Sequence, residues 1–589
     1  MNMKRIRIRT TWLAGMLLLA AGGVFAQQNP PATESAREVI PDDSPQRGLK
    51  KPRPAAGGKP QPQLDVAPSV PAAPQKVLPA ATPPAGSADQ LSTLPAIMVK
   101  NITVQGTTVI SAPALADMVK PYENKSQTFE SLNELRHTLS QYYLQRGYIN
   151  SGVIIPDQKI ENGNVVFKVV EGELNDIRVQ GLKNLKSGYI TSRIRNHVGK
   201  PLNVNDLSEA MKLLNQNPLI KQINAVLLPG DKPGESTLTV TVVEESPFYY
   251  SVRGDNYLSP SIGSERLSAN VGYGNVFGLG DVIDAKLELT EGLNGAGLVY
   301  SIPVDRKGTT VSVFADYRDY IVVEEPFDEI DIESKTTKYG IAVSHPFINR
   351  LNQNLAGSLA LEVKHSEHSL LNLPFSFSLG EKDGESDATV LDLGATWIKR
   401  YQDQFFSLQA SLRQGMNAIG ATENEGSLPS GVFSLLKGQL QYARLLPLWN
   451  SQILFHTGFQ FSNDPLLSME KFAIGGRYTV RGYRENQFVR DNGIAATLEW
   501  RISLLPRNSG QQFYVAPFVD YGSSWDKDEA LTGTEKAAIS SVGIGLLYDP
   551  MPNLHMELYW GSANDDVTEP AESDIQDDGI HFQVVYKSK

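Results

Sequence analysis

From Pro247 to the carboxyl end, alternating apolar and polar segments recur between turns, and in the last five of them one side of the alternation carries no charge. A period of two belongs to β-strands, whose successive side chains point to opposite faces. Ile494, Ala496, Leu498, Trp500 and Ile502 share one face, opposite Thr497, Glu499, Arg501 and Ser503. The same division holds for Phe513, Val515, Pro517, Val519 and Tyr521 against Tyr514, Ala516, Phe518, Asp520 and Gly522. Three further segments repeat it, built around Val542–Leu546, Leu554–Trp560 and Ile580–Tyr586. A soluble sandwich turns its polar, densely charged face outward. A wholly apolar face opposite a mixed one is the pattern of lipid outside and water inside. Trp500, Tyr521, Trp560 and Tyr586 fall near strand ends, where an aromatic girdle lies. Residues 247–589 have room for about 16 membrane strands of about 10 residues.

The rest of the chain suits an exported barrel protein. Lys4, Arg5, Arg7 and Arg9 precede an apolar stretch, Leu13 to Val24, too short to cross a bilayer as a helix. Val24-Phe25-Ala26 offers small residues for cleavage, so residues 1–26 read as a signal peptide. No later segment approaches 18 uninterrupted apolar residues. The absence of cysteine fits an oxidising compartment and removes thiol chemistry. A formal charge of −11 does not suit nucleic-acid phosphates. Residues 27–95 hold 15 of the 36 prolines and read as an extended linker, with one short helical piece expected at Thr33–Ile40.

Residues 96–172 and 173–246 read as two α+β modules in tandem. Ile97-Met-Val-Lys-Asn-Ile-Thr-Val-Gln-Gly106 parallels Leu174-Asn-Asp-Ile-Arg-Val-Gln-Gly181, each an alternating strand that stops at glycine. An apolar helical stripe follows in each, Phe129, Leu132, Leu135, Leu139 and Tyr142 in the first and Leu207, Ala210, Met211 and Leu214 in the second. Each closes on two strands, the last ending Val-Val-Glu171 or Val-Val-Glu244. The predicted order is β-α-β-β, twice. Prolines and glycines over 229–234 read as a turn.

Between two barrel strands lies the loop 472–486, opened by Gly475-Gly476 and centred on Val480-Arg481-Gly482-Tyr483. A cationic loop facing a wall with Asp520 on its polar side suggests a loop folded into the lumen and pinned by charge. Glu499, also inward by alternation, is the rival partner for Arg481, and Arg501 is placed to neutralise Glu499. In a wide, wet lumen such a pair is worth about 1 kcal/mol.

These motifs resemble those of the outer-membrane transporters of two-partner (type V) secretion, the TpsB family of haemolysin and adhesin secretion/activation proteins (ShlB/FhaC/HecB-like), within the barrel-assembly superfamily. Val480-Arg481-Gly482-Tyr483 matches the family's signature loop, and Phe518-Val-Asp520-Tyr-Gly522 its inward-facing partner motif. Asn275-Val-Phe-Gly-Leu-Gly-Asp281, Tyr300-Ser-Ile-Pro303 and Pro346 agree with early barrel segments. The resemblance implies two periplasmic POTRA domains, a 16-stranded antiparallel barrel in the bacterial outer membrane, and Arg481 meeting Asp520. It implies a large, β-helical exoprotein as partner (an adhesin, cytolysin or toxin), outer-membrane lipid around the barrel, and neither nucleic acid nor a small-molecule substrate. The alternative within the superfamily is a factor that inserts other barrels. The family's pore-plugging helix has a poor match in Thr33–Ile40, which Pro41 follows.

No enzyme, cofactor or metal site is expected. The chain has no Gly-x-Ser-x-Gly elbow, no His-Glu-x-x-His and no phosphate-binding glycine loop. His137 reads as a surface residue, and His555 and His581 as lumen residues. Glu324-Glu325 and Glu381-Lys-Asp-Gly-Glu385 read as solvated loops.

Overall fold

A computed structural model describes residues 64–66, 96–506, 510–567 and 573–588. The expected signal peptide and the helical piece at 33–40 lie outside the described residues. In chain order, β1 is Leu64–Val66, in the proline-rich linker. The first module contains β2 (Ile97–Val99), β3 (Asn101–Gln105), α1 (Ala112–Val119), β4 (Lys125–Gln127), α2 (Phe129–Gln145), β5 (Gly152–Ile154) and β6 (Asn164–Val170). The second contains β7 (Glu173–Gln180), α3 (Ser187–His197), α4 (Val204–Asn215), β8 (Ile220–Pro229) and β9 (Glu235–Glu244).

Each module therefore has a helix more than the sequence pattern predicts. The core order is β-α-α-β-β: α1 is eight residues long and buries only Val119, while α3 buries Tyr189, Ile190 and Ile194, a stripe the sequence reading missed. In α2 the buried face is Leu132, Leu135, Leu139 and Tyr143. Phe129, expected on that stripe, is exposed, since it sits in the first turn beside the capping Thr128. His137 is exposed, as expected. The repeat extends to chemistry. Glu171, just past β6, accepts hydrogen bonds from the Thr108 N–H at 2.6 Å, the Thr108 hydroxyl at 2.6 Å and the Tyr143 hydroxyl at 2.8 Å. Glu244, ending β9, accepts from the N–H groups of Lys183, Asn184 and Leu185 at 2.8–3.0 Å. In both modules a glutamate at the end of the last strand ties down the loop that leaves the first strand.

The barrel strands are β10 (Phe248–Asp255), β11 (Arg266–Gly274), β12 (Val282–Leu289), β13 (Leu293–Pro303), β14 (Thr310–Ile321), β15 (Ile332–Arg350) and β16 (Gln353–Leu370). The two-residue β17 (Leu373–Pro374) folds back on β16. Then come β18 (Glu385–Arg400), β19 (Gln404–Met416), β20 (Ser434–Leu446) and β21 (Ser451–Ser462). A small hairpin, β22 (Phe472–Ile474) with β23 (Phe488–Arg490), stands apart from the wall. The wall resumes with β24 (Asn492–Ser503), β25 (Gln512–Trp525), β26 (Ala537–Met551), β27 (Leu554–Ala563) and β28 (Ile580–Lys587). Without the short β17, the closed antiparallel barrel has 16 strands. It closes through β10 and β28, with Ser251 opposite Lys587 and Asp255 opposite Gln583.

The predicted faces hold. Leu498, Val519, Val542, Leu558 and Trp560 are exposed on the lipid side, while Glu499, Asp520, Tyr559 and His581 are buried inside. His555 also faces inward, beside Asp549 and Glu557. Module two is seated under the barrel. The Lys186 N–H donates to Gly278 O at 2.9 Å, and the Leu351 N–H to Glu209 at 3.2 Å. Thus Asn275–Asp281 is a turn between β11 and β12 that docks on the module.

Candidate functional site

The loop 463–491 enters the lumen between β21 and β24. Its hairpin pairs Phe472 with Arg490 and Ile474 with Phe488, and Gly475-Gly476 turns the chain at positive φ. Arg481 then meets both carboxylates considered for it. Its Nε and one terminal nitrogen each donate to Asp520 at 2.8 Å, and its backbone N–H donates to the same carboxylate at 3.0 Å. Its other terminal nitrogen donates to Glu499 at 2.6 Å. Arg501 holds the second oxygen of Glu499 at 2.5 Å, and the Tyr559 hydroxyl donates to that oxygen at 3.2 Å. Asp520 and Glu499 are thus joint partners.

Each motif residue has a separate task. The Arg481 guanidinium lies 3.4 Å from the centre of the Phe518 ring and 4.7 Å from that of Tyr559, two cation–π contacts from rings inclined to each other at 65°. Val480 is fully buried on Gly522, where a Cβ would stand only 2.7 Å from a Val480 methyl. Gly482, at φ +94°, lets the loop backbone press on β27; its Cβ would lie 3.0 Å from the Gly561 carbonyl. The Tyr483 hydroxyl donates to Ser540 O at 2.9 Å and accepts from the Asp565 N–H at 3.0 Å.

The expectation of a wet, weak pair is overturned. Arg481 is 1% exposed, Asp520 1% and Glu499 4%. The loop's own apolar residues, Ile474, Val480 and Tyr483, pack with Ala495 and Ile539 of the wall and exclude water. A buried ion pair is held by geometry and full hydrogen bonding, and removing one partner typically costs about 3–5 kcal/mol.

Several loop contacts escaped the sequence reading. Arg477 pairs with Glu557 of β27 at 3.1 Å. The buried Glu485 accepts from the Arg477 N–H at 2.6 Å. Arg484 pairs with Asp577 and with Glu324, so Glu324 is a partner of the loop, not a solvated charge. Glu381, also expected in solvent, is buried and accepts from the N–H groups of Phe377 and Ser378. Long sequence separation hid these pairs; alternation reports a wall residue's side, not which loop reaches it. Among the described residues no cluster of His, Asp or Glu has the arrangement of a metal site.

A barrel of 16 strands, tandem β-α-α-β-β modules beneath it and a lumen loop pinned through Arg481 define an outer-membrane polypeptide transporter with periplasmic POTRA domains. The family described as "Haemolysin secretion/activation protein ShlB/FhaC/HecB" matches residues 234–547, and the ShlB-type POTRA domain matches residues 97–172. The chain belongs to this ShlB/FhaC/HecB family of secretion proteins. It is 25% identical to the heme/hemopexin transporter protein HuxB of Haemophilus influenzae (strain 86-028NP), over 74% of this chain and 77% of that one. It is 23% identical to the outer membrane transporter CdiB of Escherichia coli O6:K15:H31 (strain 536 / UPEC), over 79% and 82%. The solved structure of CdiB from Escherichia coli superposes with a TM-score of 0.65 at 21% identity, over 87% of this chain and 94% of that one.

Proposed function

We propose that this transporter secretes one large exoprotein, an adhesin, cytolysin or toxin, that reaches it unfolded in the periplasm. The POTRA modules capture the client, the lumen loop withdraws, and the client crosses the barrel and folds outside. The observation that supports this reading is the buried seat of Arg481, by which a loop folded inside a 16-stranded barrel is held to the wall through contacts that a conformational change can exchange.

Capture by strand addition has support in the second module. Its sheet runs β1-β8-β9-β7, and β1 comes from the linker. Leu64, Asp65 and Val66 lie parallel to Ala225, Val226 and Leu227. The β8 edge therefore accepts an extended segment through backbone hydrogen bonds, the mode by which sheets take peptides largely regardless of sequence. Folding of a repetitive client outside can supply direction without nucleotide, since solenoids propagate from one end.

Deleting residues 97–245 tests the docking role. The expected result is a barrel that still inserts and conducts ions but leaves the client in the periplasm. Continued secretion from that variant would contradict it.

A further inference from the structure

The lumen loop is held at a second place, far along the wall from Arg481. Glu470, on the shoulder before the hairpin, is 5% exposed. One carboxylate oxygen lies 2.7 Å from Lys364 Nζ of β16, and the other 3.4 Å from Arg413 Nε of β19. Arg413 also pairs with Glu362 of β16 at 2.8 Å and Asp392 of β18 at 2.7 Å, and Lys338 of β15 stands 3.9 Å from Glu362. Lys437 of β20, opposite Ser411, faces the same group and acts on Glu470 and Glu362. The Gln460 side chain donates to Glu470 O at 2.7 Å and Asp491 O at 3.0 Å, joining the two feet of the loop.

The two anchoring sectors have opposite charge once the loop is set aside. The β15–β20 sector carries Lys338, Lys364, Arg413 and Lys437 against Glu362 and Asp392. The β24–β27 sector carries Glu499, Asp520 and Glu557 against Arg501. The loop supplies an acid, Glu470, to the basic sector and two arginines, Arg477 and Arg481, to the acidic one. The sectors lie on either side of β21, and the loop springs from β21 and from β24, the first strand of the acidic sector. Neither is balanced by its own residues, and unbalanced buried charge is costly. The loop is thus matched to both walls by charge.

We propose that Glu470 is a second latch, a positioning residue that seats the loop through Lys364 and Arg413 independently of Arg481, so that clearing the lumen requires both latches to release. The inference rests on the reading of this loop as the element that closes the lumen. The two ion sets share no residue, so their effects on loop release multiply, whereas Glu470 and Lys364 belong to one set and do not.

The test is conductance of the full-length protein in planar bilayers, comparing Glu470→Gln, Lys364→Gln, Arg481→Ala and the pairs. Heat-modifiable migration on gels first establishes that each barrel is folded. Glu470→Gln and Lys364→Gln are each expected to raise the open fraction, and together to raise it no further. Glu470→Gln with Arg481→Ala is expected to give the product of the single effects, about ninefold if each is about threefold. The proposal is overturned if Glu470→Gln adds nothing to Arg481→Ala, or if it adds to Lys364→Gln as fully as to Arg481→Ala. Wild-type secretion from a double variant with a raised open fraction would count against lumen closure by the loop, while leaving the second latch standing.

Discussion

At the scale of single residues, the signature is a set of sockets. Val480 needs the bare backbone of Gly522, Arg481 needs two carboxylates and an aromatic face, and Gly482 needs Gly561. Arg481→Ala strands Asp520 and Glu499 without their shared cation, at about 3–5 kcal/mol. Client in the medium should fall to near zero while the heat-modifiable barrel still accumulates in the outer membrane; unchanged secretion would refute the latch. Reversing the pair, Arg481→Asp with Asp520→Arg, is expected to leave secretion lost, because the new carboxylate faces Glu499. Gly522→Ala forces a methyl against Val480 and should weaken secretion severalfold, with partial recovery when Val480→Ala makes room; no recovery would remove the packing argument. Alternation alone placed Asp520 and Glu499 inside. It did not show that they act together, nor that the site is dry, because dryness comes from loop residues folded over the wall.

At the scale of elements, the modules repeat a hydrogen-bonded glutamate along with a sequence pattern. Burial opposes ionisation of Glu171, but the hydrogen bonds from Thr108, Tyr143 and Val109 outweigh it and hold its pKa below the ordinary glutamate value. A carboxylate depressed in the folded state contributes its full stability above its unfolded pKa and loses it as pH falls through the folded value. Module one should therefore be insensitive to pH near neutrality and weaken below about pH 4. Glu171→Gln should cost about 1 kcal/mol at pH 7 and flatten that acid limb, read by urea unfolding of residues 96–246 across pH. An unaltered acid limb in the variant would show that Glu171 is not its source. The core strands and second helices of both modules were legible from Val-Gln-Gly, the apolar stripes and Val-Val-Glu, but β4 was not, and the stretch read as one strand from Ile97 to Gly106 divides into β2, which pairs with β4, and β3, which pairs with β6. The first helices were not: α1 turns a single buried residue inward, and α3 buries Tyr189, Ile190 and Ile194, which do not make the i, i+3, i+7 stripe of a longer helix. Strand β1 was hidden by its surroundings: three residues in a proline-rich stretch gain a strand only from the β8 edge.

At the scale of the whole molecule, barrel, loop and modules form one path from periplasm to exterior. The lipid-facing side was readable in the last five strands because a membrane wall imposes alternation, whereas the number 16 came from the length available and the family resemblance, and closure through β10 and β28 is seen only in the structure. The seating of module two on turns 275–281 and 349–352 was not, since contacts between distant segments leave no period in a sequence. The alternative expected from the sequence is a factor that inserts other barrels, so the decisive measurement compares proteins outside and in the outer membrane of cells with and without this chain. Secretion of a dedicated partner predicts that one large exoprotein disappears from the medium and returns with the wild-type chain but not with Arg481→Ala, while the other outer-membrane barrels keep their levels. A general fall in outer-membrane barrels, with no single exoprotein lost, would contradict the account.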